Sequence, residues 1–223
     1  MTLLVKICGL STPGALNVAL DAGADIVGFV FFPPSPRNIS FETARVLASR
    51  VQGRAQKVAL CVDADDALLE QIIEALKPDM LQLHGHETLQ RVAAIRESFG
   101  LPVMKALAIE EKSDLTAIAP YEKIADRLLF DARPPREATR PGGLGKPFDW
   151  HLLDNLDLPI PFMLSGGLDP SNVAEAIRIT RAPGVDVSSG VESAPGVKDH
   201  DRIRAFIRAA RAAAIAPRVK NSA

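Results

Sequence analysis

Several functional classes are excluded by what this sequence lacks. Only two cysteines, Cys8 and Cys61, occur in 223 residues, too few for a disulfide framework and in keeping with a reducing compartment. No apolar run reaches the roughly 18 residues that cross a bilayer. The opening Met1-Thr2-Leu3-Leu4-Val5-Lys6 lacks the basic-then-apolar layout of a signal peptide. It reads as a first strand, and a cytoplasmic location with no membrane partner is expected. Lysine and arginine (26) nearly balance aspartate and glutamate (27), and no dense basic block occurs. The electrostatic footprint of a nucleic-acid binder is therefore missing. His84 and His86 stand two apart without a third ligand at suitable spacing, so no metal is expected.

What is present is a regular alternation. Apolar residues make up 47% of the chain, enough for a real core. Short runs rich in Val, Ile, Leu and Phe recur, giving candidate strands at Leu3–Cys8, Ile26–Phe32, Lys57–Asp63, Met80–His84, Val103–Ala106, Arg127–Asp131, Pro161–Ser165 and Val185–Ser188. Amphipathic stretches such as Asp66–Leu76 and Glu87–Phe99 lie between them, and Asp201–Ala214 reads as a last helix. Ser40, Ser113 and Ser171 resemble helix N-caps with acids close behind. Gly23, Gly53 and Gly100 fall where helices should end.

Strand–helix alternation implies parallel strands joined by crossovers. Eight units in this length favour a single-domain α/β fold, the (β/α)8 or TIM barrel, over an open doubly wound sheet. The expected barrel spans residues 1–216, with a frayed tail at 217–223. Barrel enzymes place their sites at the C-terminal strand ends, which directs attention to polar residues where apolar runs stop.

In Lys6-Ile7-Cys8-Gly9, alternation puts Lys6 and Cys8 on one face and Ile7 on the other. Cys8 is thus either a small buried thiol or a base pointing into the barrel mouth; Cys61, mid-strand, is assigned to packing. Asp131 closes strand six, as a loop cap or as an acid facing Cys8. Prolines around Ser35-Pro36-Arg37 stiffen that loop, so Arg37 can be presented to a planar carboxylate. Ser165-Gly166-Gly167-Leu168 and Ser188-Ser189-Gly190-Val191 follow strands seven and eight, the usual phosphate region of such barrels, although two tight turns would look similar. His84 shares an inward face with Gln82 and is a site-lining candidate. Pro141-Gly142-Gly143-Leu144-Gly145-Lys146 fails as a P-loop and reads as a lid or a plain surface loop.

Together these segments, in this order and over nearly the whole chain, resemble the phosphoribosylanthranilate isomerase family. Gly28-Phe29-Val30-Phe31, Gln82-Leu83-His84-Gly85 and Phe148-Asp149-Trp150 add to the match. The resemblance implies a cofactor-free Amadori rearrangement of N-(5'-phosphoribosyl)anthranilate, the third step from chorismate to tryptophan. It implies Asp131 as general acid, Cys8 as general base and Arg37 on the anthranilate carboxylate. Gly166, Gly167, Ser188, Ser189 and Gly190 would hold the phosphate. Leu144 departs from the small hydroxyl residue common in that family's Gly-Gly-x-Gly loop. Cys8 argues against the bifunctional relatives, which carry Asp there. The family includes monomers and homodimers. The alternatives are another phosphosugar isomerase or epimerase and a catalytically silent phosphosugar-binding barrel.

Overall fold

The computed structural model describes residues 2–133, 142, 147–154 and 156–215. Eight parallel strands close in chain order into one barrel: β1 (Leu4–Cys8), β2 (Ile26–Phe31), β3 (Gln56–Cys61), β4 (Met80–Leu83), β5 (Val103–Ile109), β6 (Arg127–Ala132), β7 (Phe162–Leu164) and β8 (Gly184–Val187). Closure is made by β8 on β1, with Lys6 opposite Asp186 and Ile7 opposite Val187. The strand alternation read from the sequence is present throughout, and the fold is a single-domain TIM barrel. β5 runs on past Ala106 to Ile109, because Leu107 and Ile109 are buried and β6 pairs alongside as far as Ala132.

Helices α1 (Pro13–Asp21), α2 (Phe41–Val51), α3 (Asp66–Leu76), α4 (Leu89–Phe99), α5 (Ile118–Tyr121), α6 (Val173–Thr180) and α7 (His200–Ile215) connect the strands. A short hairpin, β9 (Glu192–Ala194) with β10 (Val197–Lys198), follows β8. Ser40 caps α2 as expected, accepting from Thr43 N at 3.1 Å. Asp65 and Thr88 do the same for α3 and α4, each worth about 1 kcal/mol. The caps expected at Ser113 and Ser171 are corrected. Lys112–Ala117 is a 3-10 turn capped by Glu111, with Asp114 closing the box. Before α6, Asp169 accepts the amides of Ser171 and Asn172. In both places a carboxylate, the stronger acceptor, takes backbone amides at the start of the turn: Glu110 and Glu111 for Asp114, Ser171 and Asn172 for Asp169.

Two apolar layers result from the period of two along each strand. Val5, Ile7, Leu128 and Phe130 belong to the large cluster between strands and helices, whereas Ile26, Val58, Met104, Leu129 and Met163 fill the barrel's interior. Continuing the alternation sends Lys6, Cys8 and Asp131 inward. No helix among the described residues is long and apolar enough to cross a membrane. The tail expected at 217–223 lies outside the described residues.

Candidate active site

Cys8 ends β1 and is buried, only 3% exposed. Burial pushes its thiol pKa up; the Lys6 ammonium pulls the other way and the Asp186 carboxylate adds to the rise. Cys61 makes an instructive contrast. It sits in the outer layer with its Sγ 3.7 Å from the Gln82 carbonyl, and burial pushes its thiol up to about 12. Cys61 ends β3 rather than lying mid-strand as expected, but its side chain faces the outer apolar layer, away from the barrel interior.

Asp131 ends the inward-facing row of β6, three strands around the barrel from β1 on the side of β7 and β8. Its Oδ1 accepts its neighbour Ala132 N at 2.9 Å, and its Oδ2 lies 3.2 Å from His84 Nε2. Behind His84, Gln82 Nε2 stands 2.9 Å from Nδ1. With the amide in this orientation Nδ1 accepts, so Nε2 carries the ring proton and donates to Asp131. Turning the Gln82 amide over reverses both bonds: Nδ1–H donates to Oε1, and Nε2 accepts a proton from Asp131. The two arrangements match Asp131 as carboxylate and as carboxylic acid. Over this group lies Gly142, where a β-carbon would stand 2.5 Å from Asp131 Oδ2, so a larger residue there would displace the carboxyl group. The other expected lid residues, Pro141 and Gly143 to Lys146, lie outside the described residues.

Arg37 is 4% exposed, held as expected in the loop after β2. Its Nε and Nη2 donate to the two oxygens of Glu192 at 2.7 and 2.8 Å. Lys198 Nζ donates to Glu192 Oε1 at 2.7 Å and to the Ser188 carbonyl at 2.9 Å. Ser188 Oγ in turn donates to the Cys8 carbonyl at 3.2 Å. Burial opposes ionisation of Glu192, but hydrogen bonds and charge from Arg37 and Lys198 outweigh it and hold its pKa low. For Lys198 burial wins and lowers the pKa. Sequence reading missed both Glu192 and Lys198. The available signal was only their charge and their place in the short segment just after strand eight.

The glycine segments after β7 and β8 interlock. Gly166 and Gly167 take positive φ, +84° and +67°, open to glycine at little cost. A β-carbon on Gly190 would collide with the Leu168 carbonyl. Among the described residues, the amides of Gly166 and Gly167 donate to no protein acceptor, leaving two N–H groups available to an anion. Ser188 and Ser189 begin the turn leading into the hairpin.

Comparison with known proteins places the chain. The family model for N-(5'phosphoribosyl)anthranilate (PRA) isomerase matches residues 5–209. The chain belongs to the phosphoribosylanthranilate isomerase family. Proteins named N-(5'-phosphoribosyl)anthranilate isomerase from Bradyrhizobium diazoefficiens and Nitrobacter winogradskyi are 66% and 67% identical, the first over 95% of both chains, the second over 96% of this chain and 95% of its own. The Thermotoga maritima phosphoribosyl anthranilate isomerase structure superposes with a TM-score of 0.85 at 35% identity, covering 95% of this chain and all of that one. A further isomerase structure, solved with reduced 1-(o-carboxyphenylamino)-1-deoxyribulose 5-phosphate, is 33% identical with a TM-score of 0.81, over 95% of this chain and 100% of its own.

Proposed function

We propose that this chain isomerises N-(5'-phosphoribosyl)anthranilate to 1-(2-carboxyphenylamino)-1-deoxyribulose 5-phosphate, with Cys8 as base and Asp131 as acid. Family membership supports the reaction. The observation that supports the residue roles is that an inward thiol and an inward carboxyl end strands three apart around one barrel mouth. Asp131 protonates the ribose ring oxygen as the nitrogen lone pair forms the C1'=N bond, opening the ring to a protonated Schiff base. Cys8 thiolate then removes the C2' proton, and that electron pair neutralises the iminium to give an enolamine. Proton return to C1' and loss of the enol proton yield the ketone, so atoms and electrons balance without an external oxidant.

The His84–Gln82 pair supports Asp131 in both of its protonation states, as an acid that must be reloaded requires. Gly166 and Gly167, with Ser188, Ser189 and Gly190, receive the phosphate. Arg37 serves the anthranilate carboxylate, its guanidinium plane fixed by Glu192 rather than by prolines alone. The reading needs no organic cofactor or metal, and it suits a cytoplasmic biosynthetic enzyme, monomer or homodimer. Loss of anthranilate fluorescence with freshly made substrate tests the activity. Cys8→Ser should abolish turnover while product-analogue binding persists; full turnover in that variant would remove Cys8 from the mechanism.

A further inference from the structure

We propose that Lys6 is a positioning residue for the base, its ammonium setting how much of Cys8 is thiolate while Asp186 limits that pull. The inference rests on Cys8 being the base and assigns the group that tunes it.

The geometry carries it first. Lys6 lies two residues before Cys8 on the same inward face, and none of it reaches solvent. Its Nζ is 2.8 Å from Asp186 Oδ1, directly opposite across the β1–β8 pairing. Ser165 Oγ donates to Asp186 Oδ2 at 3.3 Å, fixing the carboxylate from β7. Lys6 and Cys8 close over one glycine: a β-carbon on Gly28 would stand 2.9 Å from Cys8 Sγ and 3.2 Å from Lys6 Cε.

Stability alone gives a weak reason for such a pair. Removing two charges from water costs several kcal/mol, and apolar residues of similar size often serve a core as well. A charge kept in the barrel beside a thiol acts on the thiol. The electrostatics agree in sign. Burial works against the Lys6 charge, but Asp186 and Cys8 together hold its pKa above the ordinary lysine value, so it stays an ammonium. Around Cys8, Lys6 on β1 and Lys198 on β10 favour thiolate, while burial and Asp186 on β8 oppose it. β2 contributes Gly28 at this level, and Arg37, Glu192 and Asp131 are further buried charges at this end of the barrel. The net direction for Cys8 is upward, so the resting base is mostly thiol and Lys6 limits how far that goes.

The test separates charge from structure by sign. Lys6→Met should move the thiolate titration of Cys8 to higher pH by about one unit or more, and Asp186→Asn should move it lower. Both are read from thiolate ultraviolet absorbance in the free protein and from the acidic limb of the kcat/KM profile, which reports free-enzyme groups. The double variant, which leaves no buried charge unpaired, should fall between them and keeps the test open if Lys6→Met fails to fold. Shifts of the same sign in both single variants, or equal loss of activity with no shift, overturn the proposal. If the absorbance shifts appear but the kinetic limb ignores them, Lys6 tunes the thiol and it is the base assignment that fails.

Discussion

The two ends of the barrel handle charge in opposite ways. At the N-terminal end, Asp25, Asp79 and Asp126 each sit just before an even-numbered strand and accept the amide of the strand before it: Val5, Lys57 and Val103 respectively. The same device thus recurs at β1/β2, β3/β4 and β5/β6, half open to solvent, with Arg211 and Arg96 bracing the first and last. At the C-terminal end a group of charges is buried instead, as Lys6, Asp131, Arg37, Glu192 and Lys198 are. One end uses carboxylates to finish backbone hydrogen bonding where water would otherwise do it. The other holds groups against a desolvation penalty that folding alone would not select. Surface clefts of about 570 and 550 Å³ also lie at the N-terminal end, around Gln52–Lys57 and Gly100–Pro102. Neither touches the proposed catalytic groups.

The sharpest way to break the comparison is a change at the catalytic end that removes function and spares the fold. Asp131→Asn keeps an oxygen for Ala132 N but no transferable proton. Turnover should fall by about 10²–10⁴ while the thermal midpoint stays close to that of the parent. Calorimetry beside the fluorescence assay decides it, and a large stability loss would recast Asp131 as a loop cap. The next effect is mainly one of stability. Glu192→Ala leaves Arg37 and Lys198 buried without their shared carboxylate, which should cost about 3–5 kcal/mol by urea titration. Any activity that remains should show a raised KM, since the Arg37 plane is no longer fixed.

How much of this was legible beforehand follows from the range of each interaction. Strand positions and the inward row of Lys6, Cys8, Gln82, His84 and Asp131 follow from period-two alternation, a local property any window of sequence displays. The partners do not. Glu192 meets Arg37 across 155 positions and Asp186 meets Lys6 across 180, and no local pattern encodes those pairings. His84 was read only as lining the site; that it bonds the acid depends on β4 and β6 both facing inward at one height. The recurrent Asp before β2, β4 and β6 was visible as Asp25, Asp79 and Asp126 but lacked meaning until register was known.

The smallest effect belongs at the N-terminal end and reverses the first. Asp126→Asn removes the charge that Arg96 and the Val103 amide share, and should destabilise by about 1 kcal/mol without altering kcat/KM. Its pH dependence has a fixed sign. Burial resists ionisation of Asp126, but the bonds from Arg96 and Val103 outweigh it and hold the folded-state pKa below the ordinary aspartate value. A group depressed in this way stabilises the fold above its unfolded pKa and loses that contribution as pH falls through its folded one. The stability gap between parent and Asp126→Asn should therefore be widest near neutral pH and close on acidification below the ordinary aspartate range. Urea midpoints across that range measure it. A gap constant with pH would mean that the Asp126 hydrogen-bond shape matters and its charge does not, which would leave the N-terminal carboxylates as geometric plugs rather than electrostatic ones.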